Sequence, residues 1–305
     1  MVKPTQELEI EGSKVAVEQA REAETLGDVI WYSVQEQTIP FEDYEKLLAA
    51  EGVPKDYWPS RTRTVDAFKA AVHDLHSREY FVDYETVIDP VKGRKTDSKT
   101  MLVVQRVHDQ AIDALPVTMK VHFDEKTDTM DFVGGSAELA ERVGTAYETY
   151  RTSYRAEDIR RTIHDAIRAS RAIVLKRSGG VYFVPKKNVG PVEALARAVE
   201  QLPGTEMIAL PVIDREAERK TVLKRYEAAT SHRIEELMFL VQDIVTKGEP
   251  VIPSTLKRFL DELDYLREQK GEYEGLLNTT MSKVDIEMQV LEAGIGKMAS
   301  LVRSK

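Results

Sequence analysis

From Leu256 to the end of the chain, apolar residues recur in alternating steps of three and four. The series is Leu256, Phe259, Leu263, Leu266, Tyr273, Leu277, Val284, Met288, Leu291, Ile295, Met298 and Val302, with Lys270 and Thr280 filling its two gaps. That spacing is a heptad seam, and a seam must be covered by other apolar side chains. Gly271 and Gly275 beside the first gap mark a place where it can fold back as a helical hairpin instead of continuing as one rod. Past Asp214 the pattern is helical throughout, apart from Gly248 to Pro253.

Upstream the periods change repeatedly. A first helix is expected over Ser13 to Leu26, stopped by Gly27, and then a β-branched, aromatic strand over Val29 to Val34. Helices follow over Phe41–Glu51, closed by Gly52, and over Thr64–His76. Tyr80–Ile88, Met101–His108, Val117–Phe123 and Thr129–Val133 alternate as strands of an antiparallel meander, with Asp124–Asp128 as a hairpin loop. Helices return from Ala137 to about Ser170, with Ser136 as N-cap and a break near Thr152-Ser153. Residues 172–213 read as strand (Ala172–Arg177), Gly-Gly turn, strand (Val181–Pro185), helix (Pro191–Leu202) and strand (Met207–Ile213). The expected fold is therefore α+β. An antiparallel sheet meander and a strand-strand-helix-strand unit form a body over residues 1–213, and residues 214–305 form a helical, coiled-coil-like region. That region is a candidate helical hairpin or oligomerisation element, so a homo-oligomer is expected.

Charge divides the chain less evenly than hydropathy does. The 305 residues carry a net −9, and residues 1–60 alone hold thirteen acids against five Lys or Arg. Between Arg151 and Lys187 the balance reverses to ten Lys or Arg against three acids, a local +7. Such a stretch attracts anions, and phosphate backbones are the commonest large ones. On a helix with Ile159 at zero, Ile163 and Ile167 fall near ~40° and ~80°, while Arg160, Arg161, His164, Arg168 and Arg171 fall between about 100° and 200°. An apolar face thus adjoins a cationic one. Arg155 precedes that stripe, and Lys176, Arg177, Lys186 and Lys187 end the two strands of the following hairpin, where they are expected to cluster at one end. Tyr150, Tyr154 and Tyr182 offer rings for unpaired bases. The competing reading is a solvated face whose arginines pair with acidic N-terminal residues.

Other candidate chemistry is sparse. The absence of cysteine excludes disulfides, thiolate nucleophiles and Cys-ligated zinc. His73-x-x-His76 has two imidazoles at one-face spacing but no third ligand. Asp113 with Asp124 and Lys126 has the outline of a magnesium nuclease, although Asp124–Asp128 is better explained by turn chemistry. Neither a phosphate-binding glycine loop nor a nucleophile elbow, kinase or zinc-protease motif is present. No catalytic residue, metal or cofactor is expected. No apolar run is long enough for a membrane span, and Met1–Glu7 lacks the apolar stretch of a secretory signal, so the chain is expected in the cytoplasm.

The hairpin Arg177-Ser178-Gly179-Gly180-Val181-Tyr182-Phe183-Val184-Pro185, with Ala172–Leu175 and Glu157–Ser170 before it, resembles a pattern in an uncharacterised family of similar length from phages and prokaryotes. That resemblance implies a phage or mobile-element setting and no activity. The leading expectation is a non-catalytic nucleic-acid-binding or accessory protein of DNA metabolism acting through residues 155–187. Its rival is a protein-interaction or assembly module acting through the C-terminal helices, and an enzyme without a recognisable motif comes third.

Overall fold

A computed structural model of the chain describes residues 24–85, 87–88, 95–96, 100–105, 117–176, 180–248 and 250–302. In chain order its strands are β1 (Thr25–Val34), β2 (Thr38–Pro40), β3 (Tyr80–Tyr84), β4 (Val87–Ile88), β5 (Lys95–Thr96), β6 (Thr100–Gln105), β7 (Val117–Asp124), β8 (Thr129–Gly134), β9 (Ser153–Arg155), β10 (Ile173–Lys176), β11 (Val181–Pro185) and β12 (Thr205–Ile213). Its helices are α1 (Phe41–Ala50), α2 (Thr64–His73), α3 (Ala137–Thr152), α4 (Ala156–Ala169), α5 (Val189–Val199), α6 (Glu216–Lys247), α7 (Pro253–Leu277) and α8 (Ser282–Ala299). The fold is α+β. The chain divides into two compact units, one of Val34–Ala50 and Lys55–Thr162, the other of the described residues within Met1–Ser33, Glu51–Pro54 and Ile163–Lys305.

In the first of these units the four runs of alternating residues pair as the expected meander, in the order β3-β6-β7-β8, all antiparallel. Because side chains alternate across a strand, Met101, Val103, Met119, Val121 and Phe123 fall on one face and are buried. Phe68 and Val72 of α2 and Leu139, Val143 and Tyr147 of α3 complete that core. Ser136 caps α3 as expected, its hydroxyl accepting from the Leu139 N–H at 3.2 Å. The break between α3 and α4 is wider than a cap: Ser153–Arg155 leave helical geometry to pair with Thr38–Pro40.

The other unit contains the strand-strand-helix-strand unit, with an addition that local pattern does not reveal. Its sheet runs β10-β11-β1-β12, so the N-terminal strand β1 lies between β11 and β12. β1 runs antiparallel to β11, with Gly27 opposite Pro185 and Ile30 opposite Tyr182. Gly27 is therefore a strand residue and stops no helix. At φ +149° a Cβ there would collide with the Val184 carbonyl. The expected first helix lies outside the described residues up to Ala23, and its last positions, Thr25 and Leu26, belong to β1.

The seam is buried, and the chain covers it itself. Leu263, Leu266, Leu277, Val284, Leu291 and Met298 share one core with Tyr226, Ile234, Leu237 and Val241 of α6 and with Phe183 of β11. The helical hairpin exists, but it turns at Asn278, which adopts φ +50°, while Gly271 and Gly275 remain inside α7. Since α6 and the sheet fill the seam, its burial requires no second copy of the chain. Leu291 is fully buried. Leu291→Ala should cost about 2–5 kcal/mol of unfolding free energy, read as a lower urea midpoint with an unchanged circular dichroism spectrum in buffer.

Candidate functional site

The cationic stretch is organised by how α4 begins and ends. At its start, the buried Asp158 carboxylate accepts from the Arg155 N–H at 2.9 Å, occupying a donor that the helix leaves free. Ile159, Ile163 and Ile167 are buried, as their spacing requires. The helix ends at Ala169, and Arg171 takes φ +55°, so its side chain does not continue the predicted stripe.

At that end, side chains of α7 and Asn188 satisfy backbone carbonyls. Tyr265 donates its hydroxyl to the Arg168 carbonyl at 3.0 Å. The Gln269 amide donates to Arg171 and Ala172 at 3.0 and 3.1 Å, and Tyr273 donates to Arg171 at 3.2 Å. Asn188 donates to the Ser170 carbonyl at 3.1 Å. The guanidiniums are engaged as well: Arg168 pairs with Glu262 at 2.6 Å and Arg171 with Glu268. Both lie over the Tyr265 ring, with centroid distances of 5.3 and 4.5 Å. Burial raises the pKa of that phenol, against the opposing pull of the two cations. Arg168 and Arg171 thus hold α4 to α7.

The remaining expected cations differ in their freedom. Arg160 donates to the Val34 carbonyl and to Glu36 at 2.7 and 2.6 Å. Arg155 covers the Tyr150 ring at 4.8 Å, and the Tyr154 ring is buried, so neither ring is open to a base. His164 is exposed, 3.9 Å from Asp165. Arg161, Lys176, Lys186 and Lys187 are exposed, with no ion pair among the described residues. Arg177 lies outside the described residues, as do His108, Asp109 and Asp113. The lysines of the hairpin do not cluster at one end. Lys176 stands opposite Val181 at the turn, whereas Lys186 and Lys187 follow Pro185 at the far end of β11, about 15 Å away at the rise of a strand.

Part of the cationic stretch nevertheless lines a cleft of about 1050 Å³. Its walls carry Arg168, Lys176, Arg225 and Arg233, together with His164 and His232, against two acids, Glu236 and Glu262. Glu262 bridges Arg168 and Arg233 at 2.6 and 2.9 Å, with its side chain only 12% exposed. Burial alone would lower the pKa of Arg233, but Glu262 and Glu236 outweigh it and raise the value. His232 meets Glu236 at 3.1 Å. Lys176 and Arg225 are then the cleft cations without an acidic partner among the described residues. Tyr182 also lines the cleft. Sequence reasoning missed Arg225, His232, Arg233 and Glu262. The spacing of 225, 232, 233 and 236, one helical face, was the available signal.

A second cleft of about 730 Å³ contains Arg171 and Lys187 beside Glu268 and Glu272, so its charges cancel. His73 and His76 stack at 5.4 Å, and no group of three or more metal-ligating side chains occurs among the described residues. Asp124 accepts from the Lys126 N–H at 2.8 Å, as turn chemistry predicts. No helix of the described residues is long and apolar enough to cross a membrane.

Gln269 is 5% exposed, and its replacement would strip the donor from two carbonyls. Gln269→Leu should therefore cost about 1–3 kcal/mol in urea unfolding. Arg161→Glu, at an exposed position with no ion pair among the described residues, should leave the urea midpoint within error.

No curated protein and no solved structure matches the chain. An uncharacterised family was the implication of the Gly-Gly hairpin and its flanks. Residues 25–303 match the family of unknown function DUF6744, and the chain belongs to that family.

Proposed function

We propose that the chain binds nucleic acid through the cleft walled by α4, β10, α6 and α7, as a non-catalytic accessory protein of DNA metabolism. One observation carries this reading: Lys176 and Arg225, two exposed cations, face a single cleft with His164 and His232 and without acidic partners of their own among the described residues. Unpaired cations in a concavity concentrate positive potential where a phosphate chain can enter. The other arginines of the cleft are neutralised by Glu262 and Glu236, so they shape the walls more than they add field. The assembly reading loses its main support because the seam it would use is already filled.

The test is a salt series of gel shifts. Parent protein should bind DNA or RNA at low salt, and Lys176→Glu with Arg225→Glu should weaken binding at least about tenfold. The slope of log affinity against log salt should also become shallower by about 2, one unit for each lost phosphate contact. Melting temperature should not change, since both side chains are exposed and unpaired among the described residues. Parent protein that binds no nucleic acid at low salt, or a double variant that binds like the parent, would overturn the proposal.

A further inference from the structure

Resting on the nucleic-acid reading of the cleft, we infer that its ligand is single-stranded, with one base stacked on the ring of Tyr182. The cations of the site lie inside a concavity. A duplex carries its phosphates on a convex surface and keeps its base faces stacked inside, so it can use neither the depth of the cleft nor a ring in its wall. A single strand can turn its bases and its backbone toward opposite walls.

Two tyrosines line the cleft, and only one is open to a base. Tyr265 already carries the guanidiniums of Arg168 and Arg171 on its ring, and its hydroxyl is committed to the Arg168 carbonyl. Tyr182 is half-buried and backed by Tyr32, the ring centroids lying 6.5 Å apart and the planes within 10° of parallel. A backed ring is pre-positioned, so a base stacking on it need not order the side chain first. Across the strand pair Tyr182 stands opposite Val174, which is 42% exposed and extends the apolar surface beside the ring. An irregularity between Val174 and Lys176 sets Lys176 opposite Val181, next to Tyr182 in sequence. Ring, apolar neighbour and ammonium all line the cleft from one hairpin, matching the base and phosphate of one nucleotide. A π-face discriminates little among bases, so the inferred site is sequence-tolerant.

Fluorescence anisotropy with a labelled oligothymidylate, the corresponding dT·dA duplex, and inorganic polyphosphate as a base-free competitor tests this. The single strand should bind at least about tenfold more tightly than the duplex. Tyr182→Ala should weaken single-strand binding by about 5- to 100-fold while leaving polyphosphate competition unchanged. Tyr182→Trp keeps a ring, should retain binding, and should show quenching on addition of the oligonucleotide beyond that of Trp31 and Trp58 in the parent, which supplies a readout even if the alanine variant fails to fold. Equal affinity for single strand and duplex, or an unquenched indole with full binding, would overturn the inference while leaving a phosphate-binding cleft in place. Binding of polyphosphate without binding of any oligonucleotide would overturn both this inference and the function on which it rests.

Discussion

Backbone carbonyls where α4 runs into β10 find their donors largely on α7, and that arrangement organises the unit around the cleft. The carbonyls of Arg168, Ser170, Arg171 and Ala172 receive hydrogen bonds from Tyr265, Asn188, Gln269 and Tyr273. Leaving one such group unsatisfied costs about 1–3 kcal/mol, so the end of the helix and the start of the strand are tied to α7. Three of the donors lie four residues apart on α7, which places them on one face, adjacent to the apolar seam. The same helix therefore presents an apolar face to α6 and α8 and a polar face to the α4 terminus. The cleft opens beside this junction, walled by the residues on either side of it.

That junction also determines how much of the cationic segment stays unpaired. A run with seven excess positive charges suggests a strong field, but α7 supplies Glu262 and Glu268 where Arg168 and Arg171 emerge. Paired charges largely cancel beyond a Debye length of about 8–10 Å. Within the cleft what remains is Lys176, together with Arg225 contributed by a helix outside the segment, while Arg161, Lys186 and Lys187 are unpaired among the described residues but do not line it. The unpaired cationic surface is therefore smaller than the count of charges in the segment implies. The competing interpretation, arginines held in ion pairs, describes Arg168 and Arg171 well, although their partners lie in a C-terminal helix and not near the N-terminus.

Legibility followed the range of the interactions. The meander, the isoleucine stripe of α4, the Ser136 cap and the buried seam depend on periods or contacts within a few residues, and each could be read directly from the sequence. Insertion of β1 beside β11 depends on residues about 155 positions apart, for which no local period exists. Gly27 illustrates the difficulty. A glycine after a helical pattern normally signals a stop, and only the approach of the Val184 carbonyl reveals its role in a strand. A stripe extended to Arg171 overruns α4 by two residues, because the donors that end α4 come from α7. The hairpin lysines were grouped by nearness to strand ends, without allowing that antiparallel strands put successive C-terminal ends at opposite edges.

On the proposed function this cleft, and not the cationic segment as a whole, receives the ligand. Hydrogen–deuterium exchange of the full chain with and without a single-stranded oligonucleotide tests it most directly, because amide protection maps contact along the backbone. The account predicts slowed exchange in peptides spanning Ala172–Lys176 and Arg225–Glu236, with little change around Arg155–Arg161 and Lys186–Asn188. Protection confined to those last two segments, with the cleft peptides unchanged, would contradict it.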